Sequence, residues 1–252
     1  MRVQDCYNFN DFRRLAKRRL PGPIFDYIDG AADDETTYRR NTSAFEACDL
    51  IPNVLRGVEA VDMSVVVMGQ RLAMPVYCSP TALQRLFHYQ GERAVAAAAG
   101  KYGTMFGVSS LGTVSLEEAR RISDGPQVYQ LYFHKDRGLN SEMMARAKRA
   151  GIEVMMLTVD SITGGNRERD KRTGFAIPFR LNLAGMMQFA MKPSWASITS
   201  RTSRSSCRSS TSTSTWAAAR CRSAAISPRC WTPPFRGVTW RRWCGTGVAS
   251  SA

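Results

Sequence analysis

Four short apolar runs in this sequence end on polar residues: Ser79-Pro80-Thr81-Ala82, Ser109-Ser110, Gln130-Leu131-Tyr132 and Thr158-Val159-Asp160. Taken singly, a Thr or Gln at such a point is an ordinary turn former or a satisfied polar group. Taken together they are a set. The hydroxyls of Ser109 and Thr158 and the carboxamide of Gln130 can each donate and accept a hydrogen bond. Pro80, Thr81 and Ala82 can present backbone groups beside them. Such groups suit a polar, uncharged, planar ligand, of which the edge of a flavin ring is one. They can meet only if the elements carrying them end on a common rim.

The pattern between them supplies such elements. Apolar runs cover 74–79, 104–109, 127–133 and 153–160, the last centred on Val154-Met155-Met156-Leu157-Thr158-Val159. A helix is expected over 91–102, where Val95 precedes four alanines, a second from Ser115 to Ile122, and a third over 138–150. Ser115 and Glu118 have the spacing of a capping box. Continuous apolar strands, each followed by a helix, indicate a parallel sheet covered on both faces. Their spacing is that of the βα unit of a (β/α)8 barrel, whose working residues sit at the C-terminal ends of its strands. The fold class is therefore α/β of the TIM-barrel type, with the N-terminal helices and the first four βα units. Ahead of the sheet, Asn10 is expected to cap a helix over 11–20, with Phe12, Leu15, Ala16 and Leu20 on one face, and a second helix covers 24–29.

Charge and composition divide the chain in two. The formal charge is +14 over 252 residues, which would ordinarily raise nucleic acid or an anionic surface as a partner. Residues 194–252, however, hold nine Arg and no Lys, Asp or Glu, so only +5 belongs to residues 1–193. The same segment carries fourteen Ser and all five Trp, with no hydrophobic period of strand or helix. One reading is a disordered Ser/Arg arm that binds nucleic acid. Its Trp and Cys content argues against that, because disordered segments are poor in aromatics, and an out-of-frame translation of a GC-rich gene is expected instead. Two domains follow: 1–193, the part of a barrel, and 194–252, a low-complexity tail. The seven Cys show no CxxC pair, so reduced thiols are expected and metal is not. No run approaches the ~20 apolar residues of a membrane span, so a cytoplasmic protein is expected, with peripheral contact to the inner membrane left open.

Several ordered segments carry a resemblance. Phe25-Asp26-Tyr27-Ile28-Asp29-Gly30-Ala31, Met74 through Ala82, Gln130-Leu131-Tyr132, Leu157-Thr158-Val159-Asp160 and Asn166-Arg167-Glu168-Arg169-Asp170 are similar to the FMN-dependent 2-hydroxy-acid dehydrogenases and oxidases, a family that includes L-lactate dehydrogenase, glycolate oxidase and mandelate dehydrogenase. The likeness covers residues 5–195. It implies FMN as cofactor, a small 2-hydroxy acid (most like L-lactate) as substrate, and a quinone, cytochrome or oxygen as electron acceptor, in a homo-oligomer. Tyr27 matches a tyrosine that holds the substrate carboxylate and Tyr132 one near the substrate hydroxyl and carbonyl. Pro80, Thr81 and Ala82 match the segment against the flavin, and Ser109, Gln130 and Thr158 partners of its ring. Asp160 matches the carboxylate that pairs with the catalytic His, and Arg167 an arginine that closes over the substrate carboxylate. The types are apt: a 2-hydroxy acid is an anion, suited to guanidinium and phenol donors, and a carboxylate beside an imidazole favours its protonated form.

The resemblance also implies parts that the sequence does not match. The family's base lies in an S-N-H-G-G-R-Q-like motif, whereas the two histidines here, His88 in Phe87-His88-Tyr89 and His134 in Phe133-His134-Lys135, are expected to be solvated loop residues. Lys192 is the last lysine, ahead of where the family's flavin-side lysine would stand. The chain alone is therefore expected to be poorly soluble and inactive. The rival readings are a fragment without function and a basic nucleic-acid-binding protein using the tail.

Overall fold

The computed structural model describes residues 2–159, 164–175 and 183–195. Helix α1 spans Phe9–Arg19. Its cap is Asn8 rather than Asn10: Asn8 has extended backbone and its side chain accepts from Asp11 N at 3.0 Å, while Asn10 already lies in the first turn. Lys17, Arg18 and Arg19 occupy the last turn, where they complement the partial negative charge of the helix end. Leu15 and Leu20 are buried as expected, but Phe12 stays 48% exposed. Helix α2 covers Gly22–Asp29 with Pro23 in its first turn, where the missing N–H costs nothing. Leu20, Ile24 and Phe25 pack with Phe175 into one small core. A third helix, α3 (Thr36–Glu46), buries no residue.

A hairpin comes next, β1 (Val65–Val67) pairing antiparallel with β2 (Gln70–Leu72). Met68 and Gly69 both take positive φ, 52° and 75°, as a two-residue turn between twisted strands requires. The main sheet is parallel, in the order β3 (Phe106–Ser109), β4 (Gln127–Tyr132), β5 (Val154–Thr158). Its outer face, with Phe106, Val108, Tyr129 and Leu131, packs under α4 (Glu92–Lys101), α5 (Leu116–Ile122) and α6 (Arg137–Arg149) through Ala96, Ala99, Ala119 and Ala147. Small residues on the helices let them approach the bulky strand side chains closely, which is how such layers reach interior density. The N-terminal part of the inner face is also apolar. Val128 and Met105 are closed over by Leu72, Val65 and Val67 of the hairpin, with Val154 and Met156 alongside, and Gln70 Nε2 donates to Gln127 O at 3.1 Å.

The run 74–79 differs from expectation. It lies beside β3 but forms a single parallel bridge, Cys78 with Phe106, in place of a strand. Cys78 N donates to Met105 O (2.9 Å) and Gly107 N to Cys78 O (2.8 Å). The ladder stops there because Pro75 and Pro80 have no N–H to give, and Val76 N turns back to Met74 O at 2.9 Å. Among the described residues the parallel sheet thus has three strands with this segment beside β3, where four strands were expected.

Caps set the helix starts. Ser115 accepts from Glu118 N, but Glu118 points to Arg93, 2.6 Å away, so the capping box is half formed. Asp136 caps α6 through Leu139 N. Helices α7 (Glu168–Thr173) and α8 (Leu183–Ala190) pack on α2. Among the described residues no helix is long and apolar enough to cross a membrane.

Candidate functional site

The inner face of the sheet changes character toward the C-terminal ends of its strands. Ser109 and Gln130 are register partners across β3 and β4, as are Tyr132 and Thr158 across β4 and β5. Side chains on one strand alternate faces, so Gln130 and Tyr132 share the face of Val128. Gln130 is the centre of a ladder. Its Nε2 donates to Thr158 Oγ1 at 2.8 Å, while its Oε1 accepts from Ser109 Oγ (3.3 Å), Ser110 N (3.4 Å) and Ser110 Oγ (3.4 Å). Ser109 and Gln130 are buried. The three bonds to Oε1 are long for their kind, so this carboxamide is held in direction without being strongly engaged. Three neutral groups from three adjacent strands are brought together here.

The segment Pro80-Thr81-Ala82 begins against β3, with Pro80 on Gly107. A Cβ on Gly107 would meet Pro80 Cδ at 2.6 Å, Pro80 N at 2.7 Å and Cys78 O at 3.2 Å. Glycine is therefore what lets the Pro80 backbone lie on β3. Thr81 Oγ1 donates to Ser79 O (3.3 Å), Gln84 Nε2 to Thr81 O (3.3 Å), and Leu83 N to Leu111 O (3.2 Å). These bonds fix the turn, with Thr81 exposed.

Tyr27 and Arg167 are 140 residues apart in sequence and touch. The Tyr27 ring stacks on Phe175 (centroids 4.5 Å apart) and Phe87 (6.2 Å), and the Arg167 guanidinium lies over it at 5.1 Å. Arg167 Nη2 donates to Tyr27 O and its Nε to Asp170 Oδ2 at 2.6 Å. Burial raises the Tyr27 phenol pKa, Arg167 opposes that, and Asp170 and Tyr132 add to it. The phenol is thus a neutral donor, with Tyr132 within electrostatic reach. A chain of ion pairs fastens this segment to α2: Arg169 reaches Asp29 (3.1 Å) and Glu35 (2.6 Å), and Arg13 reaches Asp29 at 2.5 Å.

The remaining expectations divide. Tyr132 closes β4, with its N–H on Ser110 Oγ at 3.4 Å. Asp160 lies outside the described residues, as does the tail beyond residue 195. His88 Nδ1 accepts from Gln90 N (3.3 Å) in an exposed loop. His134, expected to be solvated, is half-buried. Its backbone is clamped by Asn140 (2.9 and 2.8 Å), and burial lowers its pKa against the pull of Asp136. Sequence reasoning passed over Gly107, named Ser110 only as a polar residue ending a run, and quoted Asp170 without giving it a role. For Ser110 a signal existed, since it adjoins Ser109 at a strand end, whereas Gly107 lies two residues earlier inside the strand. Asp170 closes one of the segments that carry the resemblance, but nothing in the sequence marks it as the partner of Arg167.

The rim is tested for a flavin by the chemistry of its donors. A buried run of uncharged hydroxyls and a carboxamide, flanked by a backbone segment held close to the strand, fits a flat heteroaromatic edge with alternating donors and acceptors. A model of the FMN-dependent dehydrogenase family matches residues 16–230. Glycolate oxidase of Spinacia oleracea is 37% identical over 176 residues, covering 70% of this chain and 48% of that protein. L-lactate oxidase of a Nostoc species is 40% identical over 188 residues, covering 73% and 52%. Among solved structures, the monotopic membrane protein (S)-mandelate dehydrogenase superposes with a TM-score of 0.73 at 31% identity, over 79% of this chain and 53% of that one. The chain spans about half the length of the relatives it matches.

Proposed function

Because the chain belongs to the family of FMN-dependent dehydrogenases, we propose that it serves the oxidation of an L-2-hydroxy acid, most like L-lactate, to the 2-oxo acid. The observation that carries this reading is the Ser109–Gln130–Thr158 ladder on the same face of the sheet as Tyr132, with the Tyr27–Arg167 pair nearby. In this reading Pro80, Thr81 and Ala82 support the flavin, and Ser109, Gln130 and Thr158 hydrogen-bond its ring edge. Bound there, FMN supplies the two-electron acceptor.

The chain's own residues bind and orient. Arg167 carries a positive charge for the substrate carboxylate. Tyr27, kept neutral by burial, donates its O–H to the same group. Tyr132 lies near the substrate hydroxyl and later the carbonyl. Asp160 is assigned to orient the base that takes the hydroxyl proton. Neither His88 nor His134, as placed, is assigned that task.

We place the working part in residues 1–193, the reaction in the cytoplasm or against the inner membrane surface, and the acceptor among quinone, cytochrome and oxygen, in a homo-oligomer. The test is to mix the full chain with FMN and, without oxygen, add L-lactate, glycolate or mandelate. Flavin bound by the chain, with a visible spectrum that L-lactate shifts most and reduces little because neither histidine is assigned as the base, is the expected result. A chain that binds no flavin, or a bound flavin whose spectrum none of the three shifts, would refute the reading.

A further inference from the structure

Arg167 pairs with Asp170, an acid of the short helix α7 whose side chain is largely buried. Arg169 ties the segment to Asp29 of α2 and to Glu35 just ahead of α3, and Arg172 pairs with Glu168 in the open. Asp170 is only 9% exposed. Its Oδ2 accepts from Arg167 Nε at 2.6 Å, while its Oδ1 has no hydrogen-bond partner among the described residues. As a stability device this is a poor arrangement. A buried carboxylate needs its lone pairs satisfied to offset the loss of water, and one arginine on one oxygen leaves half of that undone.

It makes sense as a device for direction. A guanidinium has five N–H groups in a rigid plane. Asp170 takes the Nε–H and Tyr27 O takes one from Nη2. That holds the guanidinium over the Tyr27 ring and leaves three of its five N–H groups, enough for a bidentate carboxylate. Phe175 and Phe87 stack with the Tyr27 ring, so phenol and guanidinium are set relative to each other before any ligand arrives.

We propose that Asp170 is a positioning residue that holds Arg167 against Tyr27, making the two anchors one preset carboxylate site rather than a tyrosine and an arginine that closes over it. This rests on the reading of Tyr27 and Arg167 as substrate anchors. Presetting lowers the ordering cost of binding, so its loss appears in affinity for the anion. Asp170 acts through Arg167 and touches no reacting atom.

The test uses the full chain with FMN present and oxalate as probe, with binding read by calorimetry. Asp170→Asn is expected to weaken oxalate about tenfold, the value of one charge-assisted hydrogen bond, and Asp170→Glu to recover part of that. In an Arg167→Lys background, Asp170→Asn is expected to add no further loss, because both changes remove one arrangement. Additive losses, or unchanged affinity in Asp170→Asn, would overturn the proposal. A second measurement needs no ligand: the exchange-protected Nε–H of Arg167 in a nitrogen-15 spectrum, assigned by its disappearance in Arg167→Lys. Its loss in Asp170→Asn while the remaining amide signals stay in place supports the pairing, and its persistence overturns it. If the unsubstituted chain shows that signal yet binds no oxalate, the substrate-anchor reading has failed and the proposal falls with it.

Discussion

Gly107→Ala is the sharpest perturbation of the rim that leaves every polar side chain in place. The added methyl would sit 2.6 Å from Pro80 Cδ and 2.7 Å from Pro80 N, against the ~3.5–4.0 Å of ordinary contact. The obstacle is a proline ring and backbone, which cannot swing aside as the end of a long side chain can. Segment 78–82 must therefore move off β3 by about 1 Å, straining the bond from Gly107 N to Cys78 O (2.8 Å). Overpacking of this sort costs ~1–3 kcal/mol. For a chain of this size that lowers Tm by roughly 2–4 °C per kcal/mol. FMN affinity should fall with it, because Pro80–Ala82 is the segment assigned to the flavin. Thermal unfolding by circular dichroism and FMN titration by fluorescence quenching measure the two effects. A variant with unchanged Tm and unchanged FMN affinity would refute the claim that glycine is required for this approach.

The N-terminal cap gives a second prediction: Asn8→Ala should cost ~1 kcal/mol in urea unfolding and Asn10→Ala well under half of that, and the reverse order would place the helix start wrongly. A third concerns acid. Burial would raise the carboxyl of Asp29, but hydrogen bonds and charge from Arg13 and then Arg169 outweigh it and hold it below its ordinary 3.8. Glu35 is lowered from 4.5 by the Ala31 N–H first and then, against burial, by Arg169. Both folded values are depressed, so this stability is present above the ordinary values and disappears as pH falls through the folded ones. Arg169→Met should therefore be less stable than the unsubstituted chain near neutral pH, with the difference closing as urea midpoints are followed below about pH 4. A difference constant with pH would contradict the assignment.

The sheet was readable from sequence where one interaction dominates. Continuous apolar runs at 104–109, 127–133 and 153–160 gave β3, β4 and β5 because both faces are covered, and Ser115 marked the start of α5. The run 74–79 failed as a strand because prolines compete with the ladder, a local cost that apolar pattern does not register. The β1–β2 hairpin was missed because its turn uses Met68 at positive φ instead of the Asn-Gly pair that normally advertises one. At the site, residue types told which side chains end the strands. Sequence could not tell that Gln130 joins Ser109 to Thr158, since that depends on register. Nor could it tell that Asp170, three positions along a short helix, turns inward to Arg167.

The central claim is that the polar ladder receives a flavin, and titration of the full chain with FMN, followed by quenching of flavin fluorescence, tests it most directly. Gln130→Leu keeps the volume of the side chain and removes the ladder's centre, so it should weaken FMN about tenfold, while exposed Arg40→Gln on α3 should leave affinity unchanged. Quenching that is absent, or equally strong in Gln130→Leu, would contradict the account.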